Sequence, residues 1–245
     1  MRKIMKENEL FTTNYNVLKN YYETHVCEFA FSRKCKMTFK VKLSGLKVLD
    51  LNCRRGKGVV KLASYAGDKG YVVGIDPSAS LIEDAKAYVE KSRLEEKFGK
   101  CKVSLMQAYP EELKLCGMTD ASFDVVFANS SINVAYSPMW VLYEIYRVLK
   151  PGGLLVLDSV VSEGEQDKTT IQGAREIGNV IQAAISRTTL EILLNEIGFE
   201  TPEYFEEYEI DPDAGFTDEC KVAVVPTNKK IRFTKTTIQT RKRMN

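Results

Sequence analysis

From residue 46 onward, short runs of β-branched and aliphatic residues alternate with longer stretches whose apolar positions recur every three to four residues. That alternation predicts strands joined by crossover helices in a parallel sheet. Residues 46–51 give the first strand and 58–65 the helix after it, followed by a turn at Asp68-Lys69-Gly70. A second strand over 71–75 ends at Asp76. Ser78 then opens a long helix whose Leu81, Ala85, Tyr88 and Val89 share a face. Residues 102–106 give the third strand, and 123–128 the fourth, after the turn-like Asp120-Ala121-Ser122. A helix over 139–149 presents Trp140, Leu142, Ile145, Tyr146 and Leu149. Lys150-Pro151-Gly152-Gly153 stops it, because proline cannot continue a helix and glycine is at ease in the left-handed cap. The fifth strand is expected at 154–157.

Beyond it, 169–186 and 188–197 predict two helices. The second opens with a capping box, Thr188 and Glu191, and closes at Gly198. Residues 204–210 and 221–225 predict two antiparallel strands joined by Asp211-Pro212-Asp213-Ala214-Gly215. Ahead of the sheet, 15–31 predicts a helix lying over the ligand cleft. No repeat, low-complexity tract or interdomain linker is visible. The expectation is one α/β domain over residues 1–226, a doubly wound, mostly parallel sheet of seven strands, in which 1–45 form an N-terminal helical cap.

Composition removes several function classes. A chain of 245 residues with 44% hydrophobic and 28% charged positions is globular rather than disordered or collagen-like. Residues 1–10 are rich in charge with no signal-peptide core behind them, and the most hydrophobic stretch, 152–161, is broken by Asp158 and falls short of the ~20 apolar residues a spanning helix needs. A cytoplasmic protein that does not enter membranes is expected. The six cysteines (Cys27, Cys35, Cys53, Cys101, Cys116 and Cys220) form no CxxC pair and the single histidine is His25, so no metal site is expected and the cysteines read as buried thiols. Charge is uneven. Residues 227–245 hold seven basic side chains and no acidic one, leaving 28 basic against 33 acidic in the remainder. A body with that balance is a poor match for phosphate backbones, so nucleic acid is not an expected partner. The basic C-terminal tail, 227–245, reads as a solvated extension, or else as an electrostatic handle for an RNA or protein substrate.

In an open parallel sheet, ligands bind beyond the carboxyl ends of the strands, where strand order reverses. The loop after the first strand reads Asp50-Leu51-Asn52-Cys53-Arg54-Arg55-Gly56-Lys57-Gly58, and the second strand ends in Asp76, placed to grip ribose hydroxyls. The pairing points to a nucleoside ligand.

These residues resemble the class I S-adenosylmethionine (SAM)-dependent methyltransferases, whose first motif is a strand ending in Asp-x-Gly-x-Gly-x-Gly and whose second strand ends in an acid. Asp50, Gly56 and Asp76 fit, and the stretches 123–129 (FDVVFAN) and 147–155 (RVLKPGGLL) look like the family's fourth and fifth motifs. The resemblance implies a Rossmann-like methyltransferase fold, SAM as cofactor, and methyl transfer. It places Asp50 near the methionine amino group, Leu51, Asn52, Cys53 and Gly56 in the loop around it, Asp76 with Pro77 at the ribose, Ala108 and Tyr109 at the adenine edge, and Asn129 under the methionine part. The departure is Asn52 and Arg54 at the first two glycine positions. Asparagine enters the left-handed region readily. Arg54 either turns outward or lines the pocket and meets the methionine carboxylate. A non-catalytic protein of the same fold is the alternative these substitutions leave open.

A closer similarity is to the arsenite methyltransferases and the ubiquinone/menaquinone-biosynthesis methyltransferases, carried by Asn20-Tyr21-Tyr22, by 108–113 (AYPEEL) and by 129–133 (NSSIN). The arsenite enzymes hold trivalent arsenic with three cysteine thiolates, soft ligands for a soft centre. Here Cys27 or Cys35 and Cys220 are candidates for two of them, but 159–199 contains no cysteine and presents Gly178-Asn179 where the third is wanted. The expected acceptor is therefore an unidentified small molecule, with an arsenite-type enzyme of incomplete cysteine set as a further alternative. Methyl transfer is an in-line displacement that needs a base only when the acceptor must lose a proton, so no catalytic residue follows from the sequence. Tyr22, His25 and Asn133 are candidates for the acceptor pocket, with His25 or Asp158 as a base.

Overall fold

The structure, a computed structural model, describes residues 15–24, 36–211 and 231–244. Its elements in chain order are α1 (Tyr15–Thr24), β1 (Lys47–Leu51), α2 (Lys57–Ala66), β2 (Tyr71–Asp76), α3 (Ala79–Leu94), β3 (Lys102–Gln107), β4 (Phe123–Asn129), α4 (Pro138–Val148), β5 (Leu149–Ser162), α5 (Lys168–Glu176), α6 (Arg187–Ile197), β6 (Glu203–Ile210) and β7 (Phe233–Arg241), with 3-10 turns at Leu113–Cys116 and Ile132–Val134. The sheet runs β3-β2-β1-β4-β5-β7-β6. Strands β1 to β5 are parallel, and β7 is antiparallel to both neighbours. Strand order reverses between β1 and β4, which puts the ligand crevice at their carboxyl ends.

The central strands are apolar runs because both faces are covered. Leu49 and Leu51 of β1 face a core closed by Leu142 and Ile145 of α4 and Leu194 of α6. Val48 faces the opposite core, closed by Val59, Leu62 and Ala63 of α2 and Ile82 of α3. Helix α1 docks separately, through Leu18 and Tyr22 on Tyr109. The expected helix 15–31 is helical over Tyr15–Thr24, and its remainder lies outside the described residues.

Several expectations are corrected. Strand β5 spans Leu149–Ser162, well beyond 154–157. Leu149 already pairs with Phe123 and the register resumes at Leu154 with Val125, so Lys150-Pro151-Gly152-Gly153 forms a bulge rather than a gap. Gly152 N donates to Lys242 O, and Lys242 N to Gly153 O, which holds the bulge against the chain after β7. The helix expected over 169–186 ends at Glu176. Gly178 turns left-handed, and Asn179 Oδ1 accepts from Ile181 N and Gln182 N, so the backbone bends where a helix would continue. Helix α6 is capped by Ser186, whose Oγ accepts from Thr189 N at 3.1 Å, in place of the Thr188 box. Gly198 closes it with φ 120°.

The largest correction concerns the C-terminus. Residues 233–241, expected as part of a solvated basic tail, are a buried strand between β5 and β6. The expected strand 221–225 lies outside the described residues. Three basic side chains of this C-terminal segment are engaged. Lys235 forms an ion pair with Asp158, both 3% exposed at the side chain. Arg241 Nη1 donates to Gly152 O at 2.7 Å, and Lys242 Nζ donates to Tyr146 O and Leu149 O at the end of α4. Of these charges, that of Lys235 is neutralised by a carboxylate. No described helix is long and apolar enough to cross a membrane.

Candidate active site

Strand β1 delivers Asp50 to the carboxyl edge of the sheet, and the chain then reverses through three left-handed residues, Asn52 (φ 60°), Arg54 (φ 51°) and Gly56 (φ 78°). The two side chains standing at glycine positions thus keep the glycine backbone. Two backbone hydrogen bonds and one to a side chain fix the turn: Cys53 N donates to Ile75 O at 2.7 Å, Gly56 N to Cys53 O at 3.0 Å, and Arg54 N to the Asp76 carboxylate Oδ2 at 3.0 Å. At Gly56 a Cβ would stand 3.1 Å from Ala85 Cβ and 3.2 Å from its backbone, so glycine there also lets α2 start against α3. A left-handed arginine is disfavoured by about 1–2 kcal/mol, and glycine returns part of this as chain entropy. Arg54→Gly is therefore expected to raise the unfolding free energy by about 0.5–1 kcal/mol, as read by urea denaturation. A loss of stability would mean that the side chain contributes more than its backbone costs.

The crevice contains polar atoms with no hydrogen-bond partner. Asp50 Oδ2 and Asn52 Oδ1 are both buried and unpaired. A Cβ on Gly58 would lie 2.7 Å from Asp50 Oδ2, so the carboxyl presses against the first turn of α2 where only glycine leaves room. Burial, and then the charge of Asp76, push the Asp50 carboxyl up to about 8. Asp50, Asn52, Cys53, Arg54, Phe127 and Asn129 line one cavity of about 310 Å³, together with Met37, Arg55, Lys57, Gly58 and Lys61. Arg54 is thus among the residues that line the cavity. Cys53 is buried beneath the loop, with its thiol pushed far up by burial and by the charges of Asp50 and Asp76. Leu51 sends its side chain into the core, so only its backbone is available here.

Asp76 clasps the turn from β2. Its Oδ2 accepts from Arg54 N and its Oδ1 from Ser78 N at 2.9 Å, while Ser78 Oγ accepts from Leu81 N and caps α3. Burial raises its pKa and these two backbone donors oppose the rise. Each oxygen keeps a lone pair for a ligand. Pro77 O accepts from Gln107 Nε2 at the end of β3. Ala108 then packs into the main core, and Tyr109 is buried under α1, where Tyr22 stacks on it at 5.5 Å and Tyr15 meets its ring edge-on at 5.3 Å.

The expected acceptor-side residues separate. Tyr22 OH donates to Glu111 Oε1 and Oε2 at 2.9 and 3.1 Å, and Ser137 N donates to the same carboxyl, which burial pushes up to about 7. Asn133 is a structural tie, its Nδ2 donating to Val160 O and Val180 O at 2.9 and 3.1 Å. His25 lies outside the described residues. Asp158 is held by Lys235. Met37, Phe127, Lys57, Lys61 and Glu111 were not singled out from the sequence. Lys57 and Lys61 did carry a signal, because two cations in the opening turns of a helix oppose its dipole and suit a site that receives an anion.

Comparison with known proteins agrees with this geometry. Residues 42–210 match a family model described as a methyltransferase domain. The arsenite methyltransferase of Aquipseudomonas alcaligenes is 32% identical over 176 residues, 72% of this chain and 50% of that protein. The demethylmenaquinone methyltransferase of Lactococcus lactis is 36% identical over 114 residues, 46% of this chain and 42% of that protein. An arsenic(III) S-adenosylmethionine methyltransferase from Chlamydomonas reinhardtii superposes with a TM-score of 0.71 at 28% identity, covering 85% of this chain and 67% of that one. The chain spans about half the length of the curated relatives it matches. With the family model covering most of its length and the sheet order on which the crevice depends, the chain belongs to the class I methyltransferase-domain family, whose methyl donor is S-adenosylmethionine.

Proposed function

We propose that this chain transfers a methyl group from SAM to a small-molecule acceptor in the cytoplasm. The observation that carries the reading is a cavity holding one unpaired buried carboxyl, Asp50, and several cations, Arg54, Lys57 and Lys61 among them. That combination suits the zwitterionic end of an amino acid: Asp50 takes the ammonium, and Arg54 with the start of α2 takes the carboxylate. Asp76 receives the ribose hydroxyls on its remaining lone pairs, Pro77 supports it, and Ala108 and Tyr109 border the base. Asn129, at the end of β4, stands beside the point of transfer. When bound, the donor supplies a methyl on a sulfonium, whose bond to sulfur breaks as the acceptor's lone pair forms the new one. The chain's part is to align the two and exclude water. The left-handed Asn52 and Arg54 favour this over a binding protein of the same fold, since they preserve the turn that glycines would make.

The arsenic reading draws on the names of the relatives, and this chain's own residues weigh against it. Asn179, near the place of one thiolate, spends its carbonyl on Ile181 N and Gln182 N and its amide on Gln182 Oε1. Cys53 and Cys101 are buried with their thiols pushed up, opposite to what a thiolate ligand requires. Cys27, Cys35 and Cys220 lie outside the described residues. Calorimetric titration with S-adenosylhomocysteine tests the proposal: saturable binding at micromolar concentrations is expected, and no heat at millimolar ligand overturns it.

A further inference from the structure

Two of the partly buried guanidinium groups in this fold are each matched by two carboxylates: Arg147 by Glu144 and Asp120, and Arg187 by Glu163 and Glu207. Arg175, in the last turn of α5, is different. Its Nε donates to the Asn133 carbonyl at 3.0 Å, and among the described residues no carboxylate lies within ion-pair reach of it. Burial pushes its pKa down, with the Tyr21 phenol as the opposing influence. A guanidinium that gives up part of its water for one neutral carbonyl is incompletely compensated, and an anion is the partner that would complete its set.

Its position says which molecule would carry that anion. Asn133 and Val134 lie in the turn after β4, whose Asn129 lines the cavity. The Asn133 amide ties that turn to Val160 O of β5 and to Val180 O beyond α5. From the other side, Tyr21 of α1 donates to Val134 O at 2.8 Å and sets its ring against Tyr136 at 5.3 Å. Helix α1, the turn after β4 and helix α5 therefore converge beyond the carboxyl ends of β4 and β5. The sheet order puts Asp76 on the opposite side of Asn129, over β2. A nucleoside held by Asp76 leaves the β4–β5 side for the molecule that receives the methyl.

We infer that Arg175 is a specificity-determining residue that recognises an oxyanion, carboxylate or phosphate monoester, on the methyl acceptor, with the edge-to-face pair of Tyr21 and Tyr136 forming one wall beside the acceptor's body. The inference rests on the methyltransferase reading for what the anion belongs to, but not for the existence of the anion site.

The test uses the full chain saturated with S-adenosylhomocysteine and titrated with benzoate, phenyl phosphate and the uncharged counterpart benzamide. One of the two anions is expected to bind about tenfold more tightly than benzamide, and which one does so identifies the oxyanion. Arg175→Gln is expected to abolish the preference without changing the affinity for S-adenosylhomocysteine, and Arg175→Lys to restore part of it. Benzamide binding as well as the anions, neither anion binding, or the preference surviving in Arg175→Gln each overturns the inference. The comparison of anion with amide needs only the wild-type chain, so a variant that fails to fold does not remove the test. Should S-adenosylhomocysteine itself not bind, the methyltransferase reading fails, and the same titrations on the chain alone still decide whether Arg175 holds an anion.

Discussion

Lys235→Ala is expected to destabilise the protein by about 3–5 kcal/mol, the penalty for leaving a buried charge without its partner. Asp158 sits in β5 between Asn129 of β4 and Thr237 of β7, with 2% of its surface exposed, so water cannot take the place of the ammonium. The damage would spread, because β7 is the strand through which β6 joins the sheet. Gln239 of β7 also holds the segment ahead of β1, its Nε2 donating to Thr38 O at 2.9 Å. Replacing both partners, as in Lys235→Met with Asp158→Leu, is expected to recover most of the loss, since an apolar pair of similar volume needs no solvation. Urea denaturation of the single and double variants measures both effects. A single variant within about 1 kcal/mol of the parent would show that the β5–β7 contact does not depend on this pair.

That strand was the least legible part of the sequence, for a physical reason. The run 233–241, FTKTTIQTR, has the period of a strand: Phe233, Lys235, Thr237 and Gln239 alternate with Thr234, Thr236, Ile238 and Thr240, and threonine is at home on a pleated surface. Its surplus of positive charge pointed to solvent instead. What buries Lys235 is an aspartate far upstream, and no local pattern announces such a partner. The strands β1, β2 and β4 were legible because their own side chains supply the burial. The same division holds in the site. Asp50, Gly56 and Asp76 stand at motif spacing on consecutive strand ends and were found from it. Met37, Glu111 and Arg175 reach their places through packing of α1, the segment before β1 and α5, and only the folded chain brings them there. Asn179 was legible only as the absence of a thiolate, whereas its carbonyl is occupied in turning the backbone, which no sequence pattern announced.

Affinity for S-adenosylhomocysteine is expected to rise about tenfold per pH unit from pH 6 to pH 8 and then to level off. The cause is Asp50. Its folded value of about 8 lies above its unfolded value, so the unliganded fold binds a proton that the unfolded chain has released. The stabilisation this gives is complete below about pH 4 and is lost as pH rises through about 8. Glu111, pushed up to about 7, adds in the same sense. A ligand ammonium reverses the preference at Asp50, because an adjacent positive charge favours the ionised carboxylate. Binding near neutral pH must therefore expel close to one proton. Calorimetry in two buffers of different ionisation enthalpy counts that proton directly. In Asp50→Asn the pH slope and the proton release are both expected to vanish, with affinity fixed at a low value. Equal affinity at pH 6 and pH 8 in the wild type would mean that the ammonium is held elsewhere, and that the unpaired oxygen of Asp50 is not the feature that selects the donor.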